Sequence, residues 1–287
     1  MNKAIKHLPF VLNPLIRFIQ RHEVPGKYRL YQATQKTYGH FLVRYNISGA
    51  FFSVPWDQWC FWKNYGPENY YLDEILPFTN ILNNELEAFD FFDLGADVGV
   101  VSALVNKYCI NLKSIHAFEP NPKSYQVLSQ NIQGMGEQHL SYNKAVSDFN
   151  GQCDLVFNAS QGSDHEGHID KSTKGNTAVV RLDDAIVVNN LCANRVFKID
   201  VEGQEIATLK GAKNLIGTAN KAVMLLELHP DVLTRDQQTA EDIFEEAEAI
   251  RPFKWLVPLL NNVEVNRELP FFEQFPHQQY DVIAVSI

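Results

Sequence analysis

From Phe89 onward, short apolar runs alternate with amphipathic segments, and this alternation constrains the fold more than any other feature. The runs FDFFDLG, SIHAFEP, HLSYNKAVSD, RVFKIDVEG and AVMLLELHP read as strands, the last apolar enough for burial on both faces. Between them VVSALVNKY, SYQVLSQNI and EIATLKGAKNLI read as helices, with Ile206, Leu209, Ala212 and Leu215 recurring on one face of the last. AEDIFEEAEAI adds a helix. FKWLVPLL and YDVIAVSI, separated by polar chain, suit an antiparallel edge. The expectation is an α/β fold, a largely parallel sheet with helices on both faces. Residues 1–88 differ. They are rich in aromatics such as Trp56, Trp59, Trp62, Tyr70 and Tyr71, most of them expected to pack in a core, and carry turn signals at Pro25-Gly26 and Gly66-Pro67. The chain is therefore divided into an N-terminal extension, 1–88, packed on the core and contributing to the substrate site, and a domain, 89–287. The polar stretch FNASQGSDHEGHIDKSTKGN reads as a loop.

Composition excludes several functions. Lys and Arg number 25 against 34 Asp and Glu, a net charge of -9 that argues against a general nucleic-acid binder. Four cysteines without a CxxC pair form neither a zinc nor a disulfide framework, so a reducing, cytoplasmic setting is expected. No apolar run reaches the length of a transmembrane helix. At the N-terminus, Lys3, Lys6, Arg17 and Arg21 surround apolar stretches broken by Pro9, Asn13 and Pro14, unlike a signal peptide. An amphipathic segment docked on the domain is the favoured reading, and weak contact with a membrane surface the second. His165 and His168 lack companion ligands and read as solvated, and Ser102 and Ser147 show no readable nucleophile arrangement.

The chemistry concentrates after the first strand of the alternation. Asp93, Gly95, Asp97 and Gly99 sit at alternate positions between strand and helix, where glycine lets backbone approach a ligand closely. The dinucleotide fingerprint GxGxxG is replaced by Gly95-Ala-Asp97-Val-Gly99. Carboxylates here repel phosphate and suit a cationic ligand. S-adenosylmethionine, with a sulfonium, an ammonium and no phosphate, fits. Glu119 ends the next strand, where an acid accepts hydrogen bonds from ribose hydroxyls. Asp200 and Glu202 follow the fourth strand, and Glu227 and His229 end the fifth. Ligands of open α/β sheets bind beyond the carboxyl ends of the strands, so these four side chains are expected to converge.

Several motifs then occur in one order: DLGADVG at 93–99, AFEPNP at 117–122 with Leu128 and Asn131, AVSD at 145–148, RLDD at 181–184, KIDVEGQE at 198–205, Gly211-Ala212, and LLELH at 225–229. Over about residues 65–230 the chain resembles the FkbM-type S-adenosylmethionine-dependent methyltransferases. It departs at Asp97, where the family more often has Asn; Asp keeps an acceptor. The resemblance implies a class I methyltransferase sheet of seven strands, the last antiparallel. It implies that Asp93, Gly95 and Gly99 cradle the methionine part of the cofactor, with Asp97 beside them. Glu119 holds the ribose, and Lys144, Ala145 and Val146 flank the adenine. The implied reaction is O-methylation of a hydroxyl on a sugar or glycosylated small molecule.

His229 is the favoured base, because imidazole titrates nearest neutrality, with Asp200 or Glu202 as alternatives. No metal is expected, although Asp200, Glu202, Glu227 and His229 offer donors for a divalent cation. Bland readings compete: His229 as a turn cap before Pro230, and Glu202 as a helix-start acid. The competing functions are a nicotinamide-dependent oxidoreductase, which should carry GxGxxG, and a non-catalytic scaffold, which should have lost the loop glycines or Glu119.

Overall fold

A computed structural model describes residues 5–157, 167–170 and 175–287. Its centre is an eight-stranded sheet whose strands, numbered here in chain order, are β1 (Phe89–Leu94), β2 (Leu112–Phe118), β3 (Leu140–Tyr142), β4 (Asn194–Ile199), β5 (Ala222–Leu228), β6 (Phe253–Val257), β7 (Val263–Glu264) and β8 (Tyr280–Ser286). The spatial order is β3-β2-β1-β4-β5-β8-β6-β7. The first five run parallel, and β8 lies antiparallel to both β5 and β6. Among the described residues no helix is long and apolar enough to cross a membrane.

Four expectations need correction. The sheet has eight strands instead of seven, because the chain after β6 reverses at Asn261 and Asn262 and lays β7 along the edge. Both asparagines hold a left-handed φ, 57° and 58°, which asparagine tolerates better than most residues. The run HLSYNKAVSD is two strands. β3 stops at Tyr142, and Ala145–Val146 pairs with Thr177–Val180 in a second, four-stranded sheet. That sheet also takes in Gly151–Phe157 and Gly167–Asp170, so part of the polar stretch expected to be a loop is a strand. His165 and the side chain of His168 lie outside the described residues. The helix expected over EIATLKGAKNLI is divided at Ala212 into Glu205–Gly211 and Lys213–Gly217.

Strand alternation sorts the core into two faces. Phe89, Phe91, Val196, Leu225 and Ile283 share one cluster with Val43, Phe52, Trp62 and Phe78 from the first 88 residues. Phe92, Leu94, Phe197, Ile199 and Leu226 face the other cluster, with Leu209, Ile243, Phe244 and Trp255. Within the first 88 residues, strands Phe41–Ile47 and Ala50–Pro55 form a hairpin. Its two-residue turn, Ser48-Gly49, has positive φ at both positions, as a tight hairpin requires.

One buried side chain fastens this hairpin to the domain. The Asn131 amide, on helix Pro122–Met135, donates to the Ser53 carbonyl at 2.9 Å and the Val98 carbonyl at 2.8 Å, and its oxygen accepts from the Ser53 amide at 2.8 Å. Removing it strands three buried backbone groups, and an unsatisfied buried polar group costs about 1–3 kcal/mol. Asn131→Ala is expected to destabilise the protein by at least about 2 kcal/mol in urea unfolding. A loss below about 0.5 kcal/mol would show that the hairpin is held without it.

Candidate active site

Register and alternation bring charged side chains to one face of the sheet. Lys198 on β4 stands opposite Asp93 on β1, and Glu227 on β5 opposite Asp281 on β8. All four share parity with the apolar residues of the first cluster, so they project toward the same side as Phe91, Val196, Leu225 and Ile283.

Lys198, which the motif reading passed over, ties the strand ends together. Its ammonium donates to the Gly95 carbonyl at 2.7 Å, lies 2.7 Å from Asp200 Oδ2 and 3.8 Å from Asp93 Oδ1. Burial alone would lower its pKa, but Asp200 and then Asp93 outweigh burial and hold it above the ordinary lysine value. The sequence does carry a sign of it, a lysine at a core-facing position of the apolar run RVFKI. Gly95, at φ 79°, is glycine because a Cβ there would overlap the Asp200 carbonyl. At this position the close approach is between two loops of the protein. Gly99, at φ 85°, packs against Leu128, whose Cδ1 would lie 2.8 Å from a Cβ.

Asp93 is fully buried beneath the loop. Its Oδ2 accepts from the Ser102 hydroxyl at 2.6 Å and the Ser102 amide at 3.2 Å, in the first turn of helix Val100–Tyr108. Above it opens a cleft at the carboxyl ends of the strands. Gly95, Asp97, Glu119, Ala145, Asp200 and Glu202 line it, together with Lys144. Of the expected site residues, Asp93, Gly99 and His229 are not in this lining.

Glu119 Oε2 accepts from the Asp97 amide at 2.8 Å, and Oε1 from the Asn121 amide at 2.7 Å. Burial, then the neighbouring Asp97 charge, push its carboxyl up to about 8. Asp97 holds a left-handed φ of 45°, and its Oδ2 accepts from the Gln58 amide of the N-terminal segment. Tyr70 and Tyr71 of that segment also approach the acids. Burial first, then neighbours that include Asp200 and Glu227 for Tyr70 and Glu227 for Tyr71, raise their phenol pKa values.

Asp200, Glu202 and Glu227 each bring a carboxylate oxygen within 4.8 Å of the other two, a spacing that could hold a hard cation. Glu227 is pushed well above the usual carboxylate range by burial and by Asp200 beside it, and accepts from the Gln279 amide. A smaller cleft adjoins, lined by Glu202, Glu205, Glu227 and His229. The helix-start acid is Glu205 rather than Glu202. Its Oε1 accepts from the Gly203 amide at 3.1 Å ahead of helix Glu205–Gly211, while its Oε2 is buried without a partner. Burial pushes Glu205 up to about 7. His229 stands at the N-cap of helix Pro230–Arg235, yet its side chain makes no capping bond, and its Nδ1 is buried without a partner. The turn-cap reading therefore does not describe its imidazole. The arrangement is a cleft of acids with the His229 imidazole in the smaller cleft beside it.

Residues 93–253 match the family model described as the methyltransferase FkbM domain. The hexuronic acid methyltransferase AglP of Haloferax volcanii is 26% identical over 159 residues, 54% of this chain and 63% of that protein. Among solved structures, methyltransferase FkbM from Methylobacillus flagellatus KT aligns with a TM-score of 0.45 at 16% identity, covering 79% of this chain and 55% of that one. A precorrin-6y C5,15-methyltransferase from Geobacter metallireducens aligns with a TM-score of 0.38 at 12% identity, covering 76% and 90%. The chain thus spans less than two thirds of the length of AglP and of the Methylobacillus protein.

The Glu119 environment has a consequence for pH dependence. Its folded-state pKa lies above the unfolded value near 4.5, so the folded protein holds a proton that the unfolded chain releases. That stabilisation is complete below about pH 4.5 and is lost as pH rises through about 8. The thermal midpoint should fall between pH 5 and 8, and Glu119→Gln should flatten the fall. An unchanged slope in differential scanning calorimetry would show that Glu119 does not carry it.

Proposed function

This chain belongs to the FkbM methyltransferase family, and on that premise we propose that it is a methyltransferase that moves the methyl group of S-adenosylmethionine to a hydroxyl of a sugar or glycosylated small molecule. The observation that carries the cofactor reading is the lining of the cleft: among the described residues, Asp97, Asp200 and Glu202, with Glu119 as a hydrogen-bonding carboxyl, stand against one lysine, Lys144. Such a lining attracts a sulfonium and an ammonium and repels pyrophosphate, which also disfavours the nicotinamide alternative. The acceptor class follows the Haloferax volcanii relative, a hexuronic acid methyltransferase.

In this reading Glu119 and Asp97 hold the ribose. Each Glu119 oxygen already accepts one backbone N–H and retains capacity for a second donor. Lys144, Ala145 and Val146 flank the adenine, and Gly95 borders the methionine end. Asp93, Gly99 and Lys198 act from beneath as positioning residues. When bound, the cofactor supplies an electrophilic methyl group. From the smaller cleft beside it, the His229 imidazole serves as the base for the acceptor's proton, and Asp200 and Glu202 orient the acceptor hydroxyls. Holding donor and acceptor in line is worth roughly 7–11 kcal/mol of barrier, and a base within reach adds about 100- to 10,000-fold. Residues 1–88 form an extension that shapes the acceptor side through Gln58, Tyr70 and Tyr71.

Two measurements test this reading. In calorimetric titration the protein should bind S-adenosylmethionine and not NAD, and Glu119→Ala should weaken that binding at least about tenfold with unchanged circular dichroism. Equal affinity in the variant would remove the ribose assignment. With labelled methyl donor and uronic acid glycosides as acceptors, His229→Ala should lower kcat by about 100-fold or more and leave cofactor affinity unchanged. Full activity of His229→Ala from pH 6 to 9 would exclude it as the base.

A further inference from the structure

We propose that the N-terminal segment seats this protein on an anionic membrane surface, an inference independent of the acceptor reading above. The helix Asn13–Arg21 docks on the protein through one face only. Ile16 and Gln20 are buried, and Gln20 Oε1 accepts from the Tyr45 hydroxyl. The other face is apolar and open: Val11, Leu15 and Phe18 are 79%, 54% and 57% exposed, and Phe10 just ahead of them is 90% exposed. A spacing of three residues places Leu15 and Phe18 on one ridge of the helix, with Phe10 and Val11 in the turn just ahead of it. The docked-segment expectation thus describes half of the helix. Large apolar side chains clustered in the open are the unusual observation, since single exposed ones are common.

Charge distribution names the occupant. Residues 1–44 contain eight Lys or Arg and one acid, Glu23, whereas the other 243 residues contain 17 Lys or Arg and 33 Asp or Glu. Arg17 and Arg21 lie on the helix itself, and Arg44 beside its start. Asn13 bonds to the backbone of Arg44 in both directions, at 2.8 and 2.9 Å, which brings Arg44 beside the helix start. The Arg44 guanidinium there lies over the ring of Phe51, itself 67% exposed. Lys6, Arg29 and Lys36 are also exposed. An apolar ridge within a basic margin matches an interfacial helix that inserts between headgroups while its cations meet anionic lipid. The acidic remainder is repelled from the same surface, so the molecule is oriented with this segment downward. A second copy fits less well, because a two-fold contact would set two strongly basic segments against each other.

Sedimentation of the full chain with vesicles tests the inference. Binding to vesicles of phosphatidylcholine with about 30% phosphatidylglycerol is expected to exceed binding to pure phosphatidylcholine at least about tenfold, and to weaken as salt rises. The double variant F10S/F18S should lose that binding by about tenfold or more while retaining its circular dichroism and its S-adenosylmethionine affinity. No binding to the anionic vesicles overturns the proposal, as does equal binding by the double variant. A concentration-dependent dimer in light scattering that F10S/F18S abolishes, without vesicle binding, would assign the ridge to a second copy instead.

Discussion

A single buried ammonium sets the geometry of the cleft. Lys198 holds the Gly95 carbonyl, Asp200 and Asp93 together, and so locks the loop after β1 against the loop after β4. Isolating such a charge from water would cost several kcal/mol, so it is stable there only because two carboxylates and a carbonyl surround it. The missing Cβ at Gly95 serves the same contact, since the Asp200 carbonyl occupies that space. The cleft lies directly above this junction, and its floor is therefore fixed before any ligand arrives.

Most of the architecture was legible in the sequence because it rests on local pattern. Four of the five parallel strands end in an acidic or glycine-containing turn, the helices show their apolar stripes, and the closing antiparallel strand is visible as an apolar run. What escaped depended on pairing. Two-residue β7 has too few residues for periodicity to register, and the break after Tyr142 is decided by Ala145–Val146 finding a partner 34 residues later. The loop glycines stand out in the sequence, but their neighbours are Asp200 and Leu128, which only the tertiary structure brings close.

The acids followed the same division. Asp97, Glu119, Asp200 and Glu202 gather at one cleft, as their places at strand ends suggested. Lys198, Asp281 and Gln58 went unread because their importance comes from strand register and from an inter-segment contact. Glu205, like Lys198, lies inside the quoted motif KIDVEGQE. There the choice between two neighbouring acids turns on the positive φ of Glu202 and Gly203, 52° and 97°, which bends the chain so that Glu205 accepts from the Gly203 amide just ahead of the helix.

The Asn131 amide has a consequence for how the protein opens. It grips Ser53 in the hairpin and Val98 in the glycine loop at once, and Gln58 grips Asp97 from the same side. Neither segment can leave its place without unbonding the other, so hairpin and loop fluctuate as one cooperative unit. Occupancy of the cleft therefore reaches the Ser53 amide, more than forty positions upstream of the residues that line the pocket, as slower exchange of its proton with solvent. By the reciprocity of linkage, whatever loosens the hairpin weakens the grip on the ligand by the same factor.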